Sequence, residues 1–385
     1  MENRIVVAHI NTQFFARTET FIYLYLTNLR RVRPICLSAG PFVNLDLFPF
    51  PRGDRYTVGW GPDSLRWLWA SVFGKLTGRR VLAERVLRRR EARLIHAHFG
   101  PVGWWALLLK RTLQLPLITT FYGYDTAFDI HQAWLDWPRC RQELFDEGDI
   151  FLVEGLFMRQ QLINLGCQPD KIEIQRIGVD VNKIPFRSRR PTTEHKIRII
   201  FVGRFVEKKG LLYALQAVRD VHRLHGFNIE FRVIGDGPLA GEVNAFVHAN
   251  RMEAEVQLLG SLSHENYLRE IQQADLMLQP SVTAADGDNE GGAPTTILEA
   301  QASGMPVLST YHADIPNVVV PGVSAILVPE RDHQRLLDAL VYLLEHQGVW
   351  EEMGRAGRNH VQRFHNIEHE AVQLEDKYFN LIENL

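Results

Sequence analysis

Short apolar runs alternate with longer amphipathic segments along almost the whole chain, and this alternation limits the fold more than any single motif. Runs at residues 5–9, 34–38, 94–98, 117–121 and 150–153 are strand-length and rich in branched apolar side chains. The segments between them are long enough for helices, the first spanning residues 19–31. A second series opens at 197–202 and continues at 229–234, 256–259, 276–279 and 306–309, with helices expected over 210–224, 238–249, 264–273 and 294–303. Strand–helix repetition of this kind calls for parallel sheets layered between helices. Residues 186–195 (FRSRRPTTEH) are polar, non-periodic and contain a proline, which reads as a linker. The chain is therefore expected to be α/β, with Rossmann-like domains at 1–185 and 196–365 and a C-terminal helix at 366–385 that packs back on the first. Ligands bind such sheets at the carboxyl ends of the strands, so a central cleft faced by both sheets is the expected site.

At 385 residues the chain has enough length for two cores. Its 46% hydrophobic and 23% charged residues exclude a disordered or low-complexity protein. Cys36, Cys140 and Cys167 are odd in number and scattered, so free thiols in a reducing compartment are expected instead of a disulfide frame or zinc site. With neither a signal pattern nor an apolar run of about 18 residues, a cytoplasmic location is expected, and any membrane contact is peripheral. Residues 1–180 carry 23 Lys/Arg against 18 Asp/Glu, whereas residues 181–385 carry 20 against 27. A basic first half and an acidic second half imply different partners for each.

The densest chemistry lies in EGGAPTTILEAQASGMPV, residues 290–307. Pro294 suits a first helical position, Gly304 a left-handed stop, and the N–H groups of Gly291, Gly292 and Ala293 are expected free at the positive end of the helix, where anions bind. Glu290 stands at the mouth of that site and Glu299 inside it. Two carboxylates beside an anion site suit a molecule with phosphates and hydroxyls, such as a nucleotide sugar. GRFVEKKG, residues 203–210, follows an apolar run; Gly203 permits a sharp turn, and Arg204 and Lys209 offer a planar fork and a point charge for a diphosphate. Gly235, Gly237 and Gly241 form a weak dinucleotide-like pattern that equally fits a tight strand-to-helix turn. The acidic stretch 284–289 matches no complete metal loop and reads as a solvated, flexible loop.

These motifs, with VQLLG ending at Gly260, occur in the order and at the intervals of the nucleotide-sugar domain of family-4 retaining glycosyltransferases with the GT-B fold, which residues 197–365 resemble throughout. The resemblance implies that Arg204 and Lys209 hold the donor diphosphate and that Glu290 contacts the transferred sugar. It implies that Glu299 takes the ribose hydroxyls, and that Gly203, Gly235, Gly237, Leu262 and the backbone from Gly291 to Thr295 (Gly292, Ala293, Pro294) line the nucleotide sugar. Family members separate the two glutamates by seven residues; here eight intervene, which lengthens the turn before the helix. No metal or cofactor is implied beyond the donor.

The resemblance is weaker in the first half, where it places Tyr122 and Asp125 of FYGYD near the donor sugar; many members carry histidine in place of Tyr122. His96 and His98 share one face of a strand, and with no third ligand apparent they read as core or cleft-wall histidines. Thr18 reads as a helix N-cap with Glu19 in the first turn, and both, like His98, are acceptor-side candidates. From residue 79 to 93, Arg79, Arg80, Arg85, Arg88, Arg89, Arg90 and Arg93 surround Val81, Leu82, Val86 and Leu87, with Trp60, Trp67 and Trp69 upstream. This basic amphipathic pattern fits either a solvated face or an anionic membrane surface, and no nucleic-acid motif accompanies it. The expected activity is sugar transfer from a nucleoside diphosphate sugar to an acceptor hydroxyl of a glycan or lipid-linked precursor in bacterial polysaccharide assembly. Nucleotide-sugar hydrolysis or epimerisation, a dinucleotide-dependent dehydrogenase and a non-catalytic sugar-nucleotide scaffold are the competing readings.

Overall fold

The computed structural model describes residues 4–58, 79–127, 136–191 and 196–384. Trp60, Trp67, Trp69 and the linker residues 192–195 lie outside the described residues. The chain divides into two compact units, Met1–Gly178 with Ile367–Leu385, and Val179–Asn366. In the first, β1 (Ile5–Asn11), β2 (Val32–Ser38), β3 (Arg55–Thr57), β4 (Ala92–His98), β5 (Leu117–Thr120), β6 (Ile150–Val153) and β7 (Ile172–Ile174) form a sheet ordered β3-β2-β1-β4-β5-β6-β7. In the second, β8 (Ile197–Val202), β9 (Ile229–Ile234), β10 (Val256–Gly260), β11 (Leu276–Gln279), β12 (Val307–Thr310) and β13 (Ala325–Val328) are ordered β10-β9-β8-β11-β12-β13. Every pairing is parallel. All residues of β5, β11 and β12 are buried, as expected of strands covered on both faces. The strand order reverses between β1 and β4 and between β8 and β11, so each unit has a switch point at its carboxyl edge, where ligands of doubly wound sheets sit.

The last helix, Ile367–Glu383, belongs to the first unit. Its Ile367, Ala371, Leu374 and Tyr378 fall on one helical face and pack against Val7, Leu94, Ile118 and Leu152 of the sheet. Glu375 on the same helix accepts the N–H groups of Arg30, Arg31 and Val32 at 2.7, 2.6 and 3.1 Å. That contact explains why the helix expected over 19–31 is only Thr20–Asn28: Leu29 is already extended, and the amides beyond it turn to Glu375 on the way into β2.

The stretch expected to be a linker is in part a clamp. Arg189 is fully buried and donates to the carbonyls of Ile271, Ala274 and Ser303, and Arg187 donates to Gln272 O and Asp275, both at 2.6 Å. These carbonyls end the helices His264–Gln273 and Thr295–Ala302, where orphan acceptors and the negative dipole end favour a cation. Burial, with the neighbouring Arg187 cation, outweighs the attraction of Asp275 and pulls the Arg189 guanidinium down to about 9.

Candidate functional site

In the second unit, the loops after β8, β11, β12 and β13 meet at the carboxyl edge of the sheet. After β8 the chain makes a short 3-10 turn, Glu207–Lys209, and Gly210 closes it at φ +73, where a Cβ would lie 1.8 Å from the Pro280 carbonyl oxygen. This turn brings Lys209 Nζ to 2.6 Å from Glu290 Oε2, and Ser281 Oγ donates to Glu290 Oε1 at 2.8 Å. Burial works against ionisation of Glu290, but the Lys209 and Lys208 ammonium groups and the Ser281 hydroxyl outweigh it and hold the carboxyl below its ordinary value. Two of the residues expected to act together are thus in direct contact, and Lys209 is already ion-paired. Its ammonium keeps two further donors. Arg204 is exposed, and its guanidinium makes no hydrogen bond among the described residues.

The helix over the motif begins at Thr295, so Pro294 is its cap, extended at ψ 125, and not its first helical residue. Gly291 differs from expectation too: its N–H is not free but donates to Asn289 Oδ1 at 2.7 Å. The N–H groups of Gly292, Ala293, Thr295 and Thr296 have no acceptor among the described residues, and the buried Thr296 Oγ1 is likewise unpartnered. The amides left without acceptors at this helix start thus run from Gly292 into its first turn. Glu299 accepts from the Tyr267 hydroxyl at 2.5 Å, and burial lifts its carboxyl to about 7 against that bond. Leu262 is half-buried in the turn ahead of the helix that carries Tyr267.

Gly235 and Gly237 are explained by packing. Gly235 sits at φ +137 with Gly203 O 1.9 Å from where a Cβ would be, and Gly237 meets the Phe205 backbone in the same way at 2.7 Å. The tight-turn reading accounts for both, while Gly241 faces open space. The acidic stretch is not loose. Lys208 Nζ donates to Asp288 Oδ1 and Asn289 O at 2.9 and 2.8 Å, Glu207 accepts the Ala285 N–H at 2.9 Å, and Asp286 accepts the Asp288 N–H. With its carboxylates spent in this way, the stretch is a hydrogen-bonded turn.

In the first unit, His98 Nδ1 lies 2.8 Å from the Tyr122 hydroxyl and its Nε2 lies 3.1 Å from His9 Nδ1. His96 contacts the Tyr378 hydroxyl at 2.6 Å and Thr120 Oγ1 at 2.7 Å. The fold thus supplies the third imidazole that the sequence did not reveal, with ligating atoms of His9, His96 and His98 all within 4.8 Å of one another. Burial lowers His9 to about 3 and the other two well below their ordinary value, leaving the neutral form that ligates transition metals. Both His96 nitrogens are already engaged, and His9 Nε2 alone among the six has no partner. Asp125 is also committed: it accepts the N–H groups of Gly100 and Tyr122 at 2.8 and 3.0 Å, and burial raises it to about 6. Thr18 is exposed and caps nothing. Glu19 is the cap residue, with no side-chain capping bond; its carboxylate takes the Asn11 amide at 3.2 Å, and burial raises it to about 7.

Residues 196–346 match the family of glycosyl transferases group 1, and residues 30–178 match the glycosyl transferase 4-like domain. The chain is 32% identical to the amylovoran biosynthesis glycosyltransferase AmsK of Erwinia amylovora over 73% of this chain and 69% of that one. It belongs to the group 1 glycosyltransferases. The enzyme is also 32% identical to the putative colanic acid biosynthesis glycosyltransferase WcaL of Salmonella typhimurium, over 70% of this chain and 66% of that one. The aligned part thus spans about two thirds of these curated relatives. The structure of Anabaena Alr3699/HepE in complex with UDP-glucose superposes with a TM-score of 0.78 over 98% of this chain and 100% of that one, at 13% identity. The fold is that of the GT-B glycosyltransferases.

Three residues around the candidate site, Tyr267, Lys208 and His312, are brought there only by the fold. The buried His312 accepts the Glu290 N–H at Nε2, 3.1 Å away, and contacts Glu330 through Nδ1 at 2.6 Å. Only the histidine two residues past a buried strand end, in YHADIP, offered a signal.

Proposed function

We propose that this enzyme transfers a sugar from a nucleoside diphosphate sugar to an acceptor hydroxyl, with retention of anomeric configuration. The observation that carries the reading is the Lys209–Glu290 contact set directly ahead of a helix whose first N–H groups have no acceptor among the described residues. An ammonium and helix-end amides stabilise a departing diphosphate, with the Arg204 fork adding bidentate bonds. Glu290, kept ionised, contacts the sugar; Glu299 takes the ribose hydroxyls; Gly203 and Leu262 line the nucleotide. With diphosphate charge developing on one face, the acceptor attacks from that same face, and no covalent carboxylate intermediate is needed. Tyr122 serves the transferred sugar and Glu19 the acceptor side, with His98 hydrogen-bonded behind Tyr122.

Amylovoran and colanic acid, in the relatives' names, are the support for an acceptor in bacterial surface polysaccharide assembly. UDP-glucose in the Anabaena complex supports a uridine donor. No helix among the described residues is long and apolar enough to cross a membrane, and the basic helix Arg79–Arg89 is the proposed contact with anionic lipid that brings the enzyme to a lipid-linked acceptor. A thermal-shift panel of UDP-, GDP- and ADP-sugars followed by an acceptor screen tests the reaction. One donor should raise the melting temperature and give a product with the donor's anomeric configuration by NMR. Inverted product would overturn retention, and acceptor-independent hydrolysis at full rate would overturn transfer.

A further inference from the structure

The ends of three adjacent parallel strands are tied to one another through one carboxylate–imidazole pair. Glu330 follows β13, His312 follows β12, and Ser281 to Thr283 follow β11. Glu330 Oε1 meets His312 Nδ1 at 2.6 Å, and Glu330 Oε2 accepts the Thr283 N–H at 2.7 Å. On the other side of the ring, the Glu290 backbone N–H points at His312 Nε2 at 3.1 Å. A backbone amide has only a proton to offer, so Nε2 is the acceptor and Nδ1 carries the hydrogen donated to Glu330. The carboxylate fixes the tautomer, and the tautomer fixes the acceptor. This is the logic by which a neighbour's hydrogen bond decides which imidazole nitrogen is available. Asp314 adds a second tie from the same loop, its N–H reaching Gly292 O at 3.3 Å.

We infer that His312 is a positioning residue for Glu290, setting the turn that aims this carboxylate at the transferred sugar. The inference rests on the donor-site reading above. The turn between Glu290 and the helix carries one residue more than the family pattern, and Gly291 within it lies at φ +73. The Glu290 side chain is held at its tip by Lys209 and Ser281, and the His312 bond holds its backbone. Carboxylate and main chain are thereby fixed from opposite ends, leaving the side chain little freedom to swing.

Two substitutions separate positioning from packing. His312→Gln keeps a side-chain oxygen that can accept the Glu290 N–H, whereas His312→Leu keeps apolar bulk without an acceptor. In the leucine variant kcat should fall roughly 10- to 100-fold, the range expected when a reacting group is misplaced by about 1 Å, while KM for the best donor of the panel stays within about threefold. The glutamine variant should recover most of the loss. Hydrogen exchange at the Glu290 amide, followed in the intact protein by NMR, should speed up in the leucine variant and stay protected in the glutamine variant. Equal kcat in the two variants, or unchanged Glu290 exchange in the leucine variant, would overturn the inference. If the wild-type enzyme transfers from none of the donors, the donor-site reading fails, and the exchange measurement still decides whether His312 holds Glu290.

Discussion

Glu299, the proposed ribose ligand, has a carboxyl that burial lifts to about 7, even though the Tyr267 hydroxyl donates to it. The folded protein then keeps a proton that the unfolded chain, titrating near the ordinary carboxylate value, has released. Between roughly pH 4.5 and 7 stability from this group therefore falls as pH rises, and the full penalty is present above 7. Glu299→Gln removes it. Its melting temperature should exceed that of the wild type by roughly 2–4 °C at pH 8 and match it near pH 4, and a wild-type advantage at pH 8 would contradict the assignment. At this scale the two glutamates, Arg204 and Lys209 were legible because each stands beside its own turn or helix start, where a few neighbours define the chemistry. Tyr267, Lys208 and His312 were not, because their partners lie 32, 80 and 22 positions away and only the fold brings them together. Gly291 misled for a local reason: Asn289, two residues earlier, competes for its N–H as short polar side chains do.

Whole elements follow from periodicity more reliably than their ends do. The expected strands are all present, whereas β3 and β7, at three residues each, show too few alternations to stand out, and β13 was not anticipated. Residues 186–190 look like linker because Arg187 and Arg189 sit among polar neighbours, and only the packed helix ends reveal the carbonyls they satisfy. The basic helix divides similarly. Ala83, Val86 and Leu87 are buried in the core of the first unit, leaving Val81, Leu82, Arg85, Arg88 and Arg89 on the exposed side. Arg90 does not join them; with Arg33 it grips Asp54. A membrane contact therefore falls to Arg85, Arg88 and Arg89, each worth about 1 kcal/mol near an anionic surface. Changing these three to Glu should abolish sedimentation with phosphatidylglycerol-containing liposomes and leave soluble transfer intact. Unchanged sedimentation would remove this helix as the contact.

Across the molecule, one strand order is used twice. A reversal next to the first strand of each sheet puts Gly203 and Ser281 at one switch point, and Asn11 and His98 at the other. Alternation alone made the two-sheet architecture readable. The return of helix Ile367–Glu383 to the first sheet was readable only as a terminal helix, since its partners Val7 and Leu94 stand more than 270 positions away. The charge division between the halves has a physical counterpart: exposed arginines line the first unit's basic helix, whereas the second unit's Glu290 and Asp288 are drawn onto Lys209 and Lys208 after β8. In the function proposed above, the second unit holds and polarises a sugar nucleotide through Arg204, Lys209 and Glu299. The most direct measurement is nucleoside diphosphate release by Arg204→Ala, Lys209→Ala and Glu299→Ala beside the wild type, with the donor from the panel and matched melting temperatures. Each substitution should lower turnover by at least about 10²-fold, as the loss of one preorganised group commonly does. Near wild-type turnover in any of the three would contradict the account.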